Sequence, residues 1–464
     1  MTHKKCSPGR IRICLLFAVA LALSIPASAE WKEKVLYSFQ GGTDGSVPIG
    51  SLIRDSAGNI YGATEQGGAT TCRSPLSCGT VFQLVPPAKQ GASWTENVLH
   101  VFQGNANNDG ATPGGGLVMD SSGNLYGVTA YGGTGNCVLL GDSVGCGAVY
   151  EMSPPKQQGG AWTETILYSF PTSKRGYLPN GDLVFDKSGN LYGATVFGGT
   201  KGTTCDPYYG GQCGVVFEIS PPKQKGGAWT QKVLHDFPGT ASGKQDGDGA
   251  EPNGGLLLDS KGTIYGTSYF GGNGTAVCGS IGCGTIFSLT PPTKQGGVWT
   301  EKIIHRFSEP DGAQPSSGVM LGTFGTLYGT THYGITGYGC AYELTVSARG
   351  TWKETVLYSF TDDPNGADPE ATFTRDALGN LYSTANSGRD LSLRGNVFRL
   401  SQKKNGDWSF SVLYGFANGI PDGENPAAPL IFDKAGNLYS TTQYGGSGTG
   451  CSFYGCGTVF EVSP

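Results

Sequence analysis

Short segments in which apolar side chains alternate with polar ones recur along the whole chain. From Trp162 the sequence runs WTETILYSF, then LVFDKSGNLYGATVFGG, then CGVVFEISPP, before Trp229 opens the next copy. Segments rich in Val, Ile, Leu, Tyr, Phe and Thr, separated by Gly, Pro, Asn and Asp, are typical of strands joined by turns. The pattern predicts four antiparallel strands per copy, named A (at Leu183), B (Leu191), C (Val215) and D (Trp229). After residue 29 no stretch has a convincing helical period.

The turn GNLYGAT, which leads into strand B, occurs in seven near-copies. They begin at Gly58, Gly123, Gly189, Gly262, Gly325, Gly379 and Gly436. A twisted four-stranded sheet cannot bury both apolar faces alone, whereas copies stacked into a closed ring bury them and protect the ends. We therefore predict an all-β fold, a seven-bladed β-propeller of four-stranded antiparallel blades.

The two ends of the predicted mature chain complement each other. The chain begins with a D segment, WKEKVLYSF from Trp31, and finishes with a C segment, GTVFEVSP, at Pro464. All seven tryptophans open D segments: Trp31, Trp94, Trp162, Trp229, Trp299, Trp352 and Trp408. We predict that the N-terminal strand D pairs with the C-terminal strand C and closes the ring, with residues 30–464 as a single domain.

The repeated turn between strands A and B has a local explanation. Asp186 can cap the turn, Gly189 and Asn190 suit positive φ, and Tyr192 is expected to wedge between neighbouring blades. Six of the seven copies carry such an aspartate, but each turn offers one carboxylate, whereas calcium takes 6–8 oxygens. We predict no metal site and no cofactor.

Residues 1–29 are predicted to be a cleaved secretory signal, because basic residues precede a 13-residue apolar stretch and small residues at 27–29. That stretch is too short to cross a bilayer roughly 30 Å thick, so no membrane insertion of the mature chain is expected. The signal holds four of the 31 basic residues, which leaves 27 against 36 acidic residues. This balance argues against binding nucleic acid or anionic membrane. The expected location is secreted, extracellular or periplasmic.

Ten cysteines of the mature chain fall into close pairs around Gly-rich loops. The pairs are Cys72 with Cys78, Cys137 with Cys146, Cys205 with Cys213, Cys278 with Cys283, and Cys451 with Cys456. The simplest interpretation is five local disulfides in an oxidising compartment. Zinc is the alternative, but each pair supplies two thiolates where a structural site needs four ligands. Cys340 has no predicted partner, either as a relic of a lost pair or as a reactive thiol.

The combination of GNLYGTT-like turns, GCGTVFEL-like strands and VLYSF-like strands resembles the choice-of-anchor tandem-repeat family called GloVer, a group of bacterial secreted repeat proteins. The resemblance covers essentially all of the mature chain. It implies an exported, surface-associated or extracellular repeat protein and no particular activity. Members are expected to carry a C-terminal anchoring or sorting segment, whereas this sequence stops right after its last predicted strand.

The candidate binding residues lie on the D–A and B–C loop face and in strand A. Aromatic residues that end strand B can stack on sugars: Tyr131, Phe197, Phe270, Tyr333 and Tyr444. The alternative is that they pack beneath their own loops. Strand A is expected to line the channel, where Arg54 and Arg375 could hold an anion.

The fifth and sixth copies depart from the repeat and could form an asymmetric pocket, or could simply be drifted copies. His332 and Tyr333 lie at the end of strand B in the fifth, and Arg389 and Arg394 replace the cysteine loop in the sixth. By contrast, His100, His235 and His305 occupy a position that is tyrosine in sister D strands, which favours a packing role.

Two functions agree with these patterns. The first is a non-catalytic binding or scaffold module that recognises a glycan or a cell-surface protein through the disulfide-braced face. The second is a polysaccharide-degrading propeller, such as a lyase for acidic polysaccharides. There an arginine, Arg389 or Arg394, would neutralise the substrate carboxylate while His332 or Tyr333 moves the proton.

Overall fold

Seven four-stranded antiparallel sheets follow one another along the chain in the computed structural model, which confirms the predicted seven-bladed β-propeller. The structure describes residues 30–464 except 69–71, 73–77, 90, 140–141, 158, 172, 200–212, 239–247, 273–277, 295, 362–365, 388–392, 418–420 and 452–453. The predicted signal at residues 1–29 lies outside this described part. Residues Trp31–Pro464 form one compact unit.

The strands of the first three blades are given in the order A, B, C, D. Blade 1 consists of Ser46–Arg54, Ile60–Gln66, Thr80–Val85 and Thr95–Val101. Blade 2 consists of Gly110–Pro113 with Val118–Met119, then Leu125–Gly132, Ala148–Ser153 and Thr163–Ser169. Its B–C loop carries the small hairpin Val138–Leu139 and Asp142–Ser143. Blade 3 consists of Tyr177–Phe185, Leu191–Phe197, Val215–Ser220 and Thr230–Asp236.

The remaining blades follow the same order, with strands A and B each in two pieces in blades 4 and 7. Blade 4 consists of Gly249–Ala250 with Leu257–Leu258, Ile264–Ser268 with Phe270–Gly271, Thr285–Thr290 and Thr300–Arg306. Blade 5 consists of Met320–Leu321, Leu327–Thr331, Cys340–Val346 and Trp352–Ser359. Blade 6 consists of Thr374–Arg375, Leu381–Ala385, Leu393–Gln402 and Trp408–Ala417. Blade 7 consists of Gly423–Glu424 with Ile431–Phe432, Leu438–Thr442 with Tyr444–Gly445, Thr458–Ser463 and Lys32–Ser38.

The described connections contain short 3-10 turns, and no α-helix occurs among the described residues. The turns are Gly42–Asp44, Asn105–Asn107, Ser173–Arg175, Gly279–Ile281 and Thr323–Gly325. None of the helices in the described part of the chain is long and apolar enough to cross a membrane.

The ring closes through its two ends. Lys32–Ser38 pairs antiparallel with Thr458–Ser463, and Val35 lies opposite Phe460. Blade 7 therefore takes strand D from the start of the chain and the other three from its end, as the complementary ends predict. Closure therefore leaves neither terminal strand unpaired.

The apolar core lies at the junctions between blades. A phenylalanine that ends strand D in one blade packs edge-on against a strand C ring in the next, with centroids 5.1–5.3 Å apart. The pairs are Phe39–Phe82, Phe102–Tyr150, Phe170–Phe217, Phe237–Phe287, Phe307–Tyr342, Phe360–Phe398 and Phe416–Phe460. In each pair the phenylalanine from strand D, which is named first, is completely buried. Burying such rings helps to hold neighbouring blades together, because it removes large apolar surfaces from water.

The A–B turns use the predicted aspartate and glycine, with Gly189 at φ of 82°, but Asn190 does not take the positive φ expected of it. Asp186 Oδ1 accepts backbone N–H groups from Ser188 and Asn190 at 2.8 and 2.9 Å. Its Oδ2 accepts the hydroxyl of Tyr192 at 3.1 Å. The ring of Tyr192 lies 6.1 Å from Trp299 of the next blade. One aspartate thus fixes the turn and the tyrosine that wedges between two blades.

A second repeated contact joins the blades near the start of strand A. Each blade has a non-glycine residue with φ of 54–59° directly before a proline: Val47, Thr112, Leu178, Glu251, Gln314, Asp368 and Asn425. Each donates its N–H to a carbonyl of the preceding blade at 2.6–3.2 Å. The left-handed conformation costs about 1–2 kcal/mol per residue. These interblade hydrogen bonds offset that cost at all seven junctions.

Candidate functional site

A cavity of about 610 Å³ lies where the inner strands of all seven blades meet. Its floor is formed by backbone that packs too closely to admit side chains. A Cβ on Gly115 of blade 2 would lie 2.5 Å from the carbonyl oxygen of Gly181 in blade 3. The glycines of strand A therefore close the inner part of the channel.

Asp182, one of the residues that line this cavity, connects three blades. Its carboxylate accepts the N–H of Gly116 from blade 2 at 2.6 Å and the hydroxyl of Ser51 from blade 1. In the same layer Asn180 donates to Asn253 of blade 4. These polar side chains already have hydrogen-bond partners within the protein. We therefore assign them a structural role at the base of the cavity.

The wall of the cavity is aromatic and acidic. Tyr131, Tyr269, Glu65 and Glu370 line it, and no lysine or arginine belongs to the described lining residues. Burial raises the pKa of Glu65. Burial, aided by the negative charges of Glu370 and other nearby groups, raises the pKa of Tyr269 to about 12. The tyrosine is therefore a neutral hydroxyl at physiological pH.

A second cavity of about 440 Å³ lies beside the first, at blades 5 and 6. His332, Tyr333, Asp368 and Ser387 line it. His332 Nδ1 lies 3.3 Å from a carboxylate oxygen of Glu370, the residue that lines the larger cavity. Glu370 therefore links the two cavities.

His332 has a raised pKa although burial acts to lower it, because Glu370 and the negative charge of Asp368 outweigh the burial. Ser387 donates its hydroxyl to Asp368 at 2.6 Å, and Asn386 donates to Glu370 at 3.0 Å. The ring of Tyr333 packs edge-on against His332 with centroids 4.5 Å apart. Histidine, tyrosine and two carboxylates thus form one connected group.

The predicted aromatic residues are divided among different environments. Tyr131 and Tyr333 line the two cavities. Phe197 is buried and lies 5.5 Å from Tyr177. Phe270 is half-buried at 4.8 Å from Tyr269, and Tyr444 lies 6.0 Å from Tyr454. Phe197 and Phe270 thus pack against neighbouring rings.

The predicted arginines lie apart from the large cavity. Arg54 stands over the ring of Tyr439, 5.5 Å from its centroid. Arg375 is exposed beside the A–B turn of blade 6 at Gly379. Neither belongs to the described lining of the channel, which differs from the expectation for strand A. The part of strand A that does line the channel lies near Gly50 and its equivalents in the other blades.

Of the two arginines predicted in the sixth copy, Arg394 belongs to the described residues. Arg394 Nε lies 3.6 Å from a carboxylate oxygen of Glu424, so its charge is balanced by the protein itself. Arg389 lies outside the described residues. His332 is engaged by Glu370 and Arg394 by Glu424, and the structure thus gives these two residues different partners.

Disulfides form as the cysteine spacing predicts. The described bonds are Cys72–Cys78, Cys137–Cys146, Cys278–Cys283 and Cys451–Cys456. Cys213 is also disulfide-bonded, while Cys205 lies outside the described residues. Cys340 is free and buried, and burial raises its pKa to about 12. A thiol held so firmly in its protonated form is a poor nucleophile.

Several residues of the cavities were not among the sequence predictions, namely Glu65, Tyr269, Glu370 and Asp368. A signal for two of them exists in the repeat. The position just before the strand B aromatic, which five of the seven copies have, holds a different residue in every copy: Glu65, Ala130, Val196, Tyr269, His332, Asn386 and Gln443. A position that varies within an otherwise regular repeat is where the ring becomes asymmetric.

Several solved protein structures resemble this chain, but at low sequence identity. The NanB sialidase of Streptococcus pneumoniae is 13% identical, with 92% of this chain and 70% of that chain covered and a TM-score of 0.43. A luciferin-regenerating enzyme is 12% identical, with coverages of 76% and 91% and a TM-score of 0.41. A family AA12 carbohydrate-active enzyme of Trichoderma reesei is 11% identical, with coverages of 94% and 96% and a TM-score of 0.38. Likenesses this weak carry no conclusion about this chain.

No curated protein matches the sequence. The sequence model of the Gloeobacter/Verrucomicrobia repeat matches residues 273–464. This stretch holds blades 5 and 6 and the C-terminal strands of blade 7, including the GNLYSTT and GCGTVFEV segments on which the resemblance rests. The GloVer resemblance is thereby confirmed over residues 273–464, which make up less than half of the chain.

Proposed function

We propose that the protein is an exported, non-catalytic binding module that holds a neutral or amine-bearing sugar of a glycan in its central cavity. The glycan is either free or displayed on a cell-surface protein. One observation carries the proposal. The cavity combines two tyrosines with carboxylates and has no basic residue among its described lining residues.

The chemistry of the wall suits a sugar. Tyrosine rings offer flat apolar faces and hydroxyls at their edges, which match the two sides of a pyranose. The carboxylates of Glu65 and Glu370 accept hydrogen bonds from hydroxyl or ammonium groups. The volume of about 610 Å³ falls within the usual range of small-molecule sites, with room for one or two sugar units.

The same charges count against an acidic polysaccharide. A uronic acid placed in this cavity would meet Glu65 and Glu370, and like charges repel strongly when partly buried. Arg394, the described candidate for neutralising a substrate carboxylate, is already paired with Glu424. A lyase for uronic acid polymers is therefore the weaker proposal.

A polysaccharide hydrolase is the second candidate, and one observation favours it. His332, which lines the second cavity, lies 3.3 Å from Glu370, which lines the first, and packs against Tyr333. General acid–base catalysis requires such a group within hydrogen-bond reach of the substrate. The binding module and the hydrolase differ in whether a bound glycan is cleaved.

The experiment is a glycan-binding screen with the purified mature chain, using neutral, amino-sugar and uronic acid polymers, followed by calorimetry on the best binder. We expect neutral or amine-bearing glycans to bind and uronic acid polymers to fail. Tyr269→Ala should weaken binding roughly tenfold or more, as expected for loss of a central aromatic contact. Phe324→Ala, at a fully exposed turn residue, should leave it unchanged.

Two results would contradict the proposal. Selective binding of uronic acid polymers would show that the acidic wall does not govern recognition. Equal weakening by Tyr269→Ala and Phe324→Ala would place the site elsewhere. Release of new reducing ends during incubation, lost in His332→Gln, would favour the hydrolase.

Export is part of the same proposal. The described disulfides are consistent with an oxidising compartment. We expect the protein recovered from its native host to begin at residue 30 and to contain these disulfides. N-terminal sequencing and intact mass checks both statements, and recovery of the uncleaved, reduced chain from the cytoplasm would refute them.

A further inference from the structure

A polar cluster recurs at the blade junctions, away from the central cavity. A histidine or tyrosine of strand D contacts an aspartate in the loop that follows that strand. The contacts are Tyr37–Asp44 at 2.9 Å, His100–Asp109 at 3.1 Å, His235–Asp248 at 3.3 Å, His305–Asp311 at 3.1 Å and Tyr414–Asp422 at 3.0 Å. The first member is therefore exchangeable between imidazole and phenol.

A glutamate from strand D of the next blade completes each cluster. It stands two residues after the tryptophan that opens the segment, and the negative charge of the aspartate helps to raise its pKa. These glutamates are Glu96 at Asp44, Glu164 at Asp109, Glu301 at Asp248, Glu354 at Asp311 and Glu33 at Asp422. Each cluster thus brings two carboxyl groups together across a blade junction.

In two of the clusters, three ligand atoms converge. The ligating atoms of His100, Asp109 and Glu164 all lie within 4.8 Å of one another. The same holds for His235, Asp248 and Glu301. Ligands at the usual zinc distances in tetrahedral geometry are roughly 3.3 Å apart. The imidazole-to-carboxylate separations of 3.1 and 3.3 Å match that spacing.

Atoms in both clusters lack hydrogen-bond partners. Glu164 Oε1 and Glu301 Oε1 are buried with none, as are the matching glutamate oxygens of the other clusters, so the convergence of three ligand atoms is what distinguishes these two. A buried carboxylate oxygen without a partner is costly, and a bound cation would satisfy it.

The surroundings hold the ligands in place. Asp109 accepts backbone N–H groups of Gln103 and Gly110 at 2.8 and 2.6 Å. The imidazole of His100 packs edge-on against Phe102, with centroids 4.7 Å apart. Such support orients ligands in metal sites. The second cluster repeats it, with His235 packed on Phe237 at 4.5 Å and Asp248 accepting from Gly249.

We propose that His100, Asp109 and Glu164, and separately His235, Asp248 and Glu301, each bind a zinc-type divalent transition-metal ion that joins two neighbouring blades. One imidazole nitrogen and two carboxylate oxygens provide three ligands. The histidine side chains are 21% and 17% exposed, so water can supply the fourth. Calcium fits poorly, because it requires 6–8 oxygen ligands.

The chain contains its own control. Tyrosine already occupies the histidine position at two other junctions, where its hydroxyl donates to the same kind of aspartate, as Tyr37 does to Asp44. His100→Tyr and His235→Tyr should therefore remove a metal ligand while the junction still forms. His305→Tyr is the matched control, because the His305 cluster is not among the two convergent sets.

The experiment measures zinc bound to the purified mature chain after equilibration with excess Zn²⁺ and removal of free metal. We expect two more zinc ions on the wild type than on the double variant His100→Tyr/His235→Tyr. Each single variant should lose one, and His305→Tyr none. Zinc should also raise the Tm of the wild type more than that of the double variant, because a ligand of the native state stabilises it.

A loss of bound zinc can be assigned to the missing ligand only if the variant is folded, so folding is checked separately. In the presence of a chelator, the wild type and the double variant should have the same circular dichroism spectrum and Tm within a few degrees. The proposal is overturned if the folded double variant retains as much zinc as the wild type. It is equally overturned if the wild type binds no zinc at these junctions.

Discussion

Gly457, directly before the last strand, packs against Pro48 of the first blade, so that a Cβ at position 457 would lie 2.5 Å from the proline Cδ. The same contact recurs at all seven junctions, where a glycine with positive φ meets the proline of the next blade at 2.4–2.7 Å. The glycine of the GCG motif is thus required by the neighbouring blade as well as by its own turn.

Substitution of Gly457 by alanine should therefore destabilise the ring more than a positive φ alone explains. Gly436 has φ of 91°, close to the 92° of Gly457, but nothing lies within 4 Å of its would-be Cβ. Gly436→Ala should cost about 1–2 kcal/mol from backbone strain. Gly457→Ala should cost a further 1–3 kcal/mol or so from the clash. Chemical denaturation measures both, and equal losses would contradict the junction contact.

Ring closure makes a second prediction, at Phe39. Its ring is completely buried between blades 7 and 1 and packs edge-on against Phe82 at 5.1 Å. Phe39→Ala should lower the free energy of unfolding by about 3–5 kcal/mol, as for other buried aromatics. Phe324→Ala, at a residue that is 99% exposed, should change it by less than about 0.5 kcal/mol. A small effect at Phe39 would mean that the terminal strand does not hold the ring.

The fold could be predicted from the sequence because its causes are local and repeated. Strand alternation, the Asp–Gly–Asn turn and the tryptophan that opens strand D each recur seven times or nearly so. The complementary ends, Trp31 and Pro464, then leave one arrangement that pairs every strand. The interblade contact of Gly457 with Pro48 was missed, because a proline next to a strand reads as a loop residue until the neighbouring blade is known.

The junction clusters and the cavity were harder to predict for a physical reason. The aspartate that meets each strand D histidine or tyrosine follows it by a variable number of residues, from 6 at His305 to 13 at His235. Loop length hides the pairing, although the folded distances are nearly constant. Likewise Glu370 contacts His332 from another blade, and the sequence around either residue does not predict that contact.

The junction carboxyl groups predict a pH dependence of stability. Burial first, and then the charge of Asp422, raise the pKa of Glu33 to about 8. Burial and the charge of Asp44 raise the pKa of Glu96 to about 7. The native state therefore keeps protons that the unfolded chain releases above its pKa of about 4.5. The stabilisation is complete below pH 4.5 and is lost as the pH rises towards 8.

Thermal unfolding in the presence of a chelator tests this sign. The Tm of the wild type should fall between pH 5 and pH 8, and Glu33→Gln should make that fall smaller. Glutamine is tolerated at this position, because Gln231 occupies it in blade 3 and accepts the hydroxyl of Tyr168 at 3.0 Å. Glu30→Gln, at an exposed residue next to strand D, is the matched control and should leave the slope unchanged. A Tm of the wild type that rises between pH 5 and pH 8 would contradict the raised pKa values of Glu33 and Glu96 as the main cause of the pH dependence.

The last prediction concerns the group that links the two cavities. Burial acts to lower the pKa of His332, but Glu370 at 3.3 Å and the charge of Asp368 raise it above its usual value. Glu370→Gln removes one of these charges, so the pKa of His332 should fall, and the imidazole should be neutral at a lower pH than in the wild type. Titration of the His332 ring protons by NMR measures the shift, with Glu218→Gln in blade 3 as a control of equal charge change. An unchanged pKa in Glu370→Gln would show that the contact is too weak to control the histidine, and a hydrolase mechanism built on that pair would lose its base.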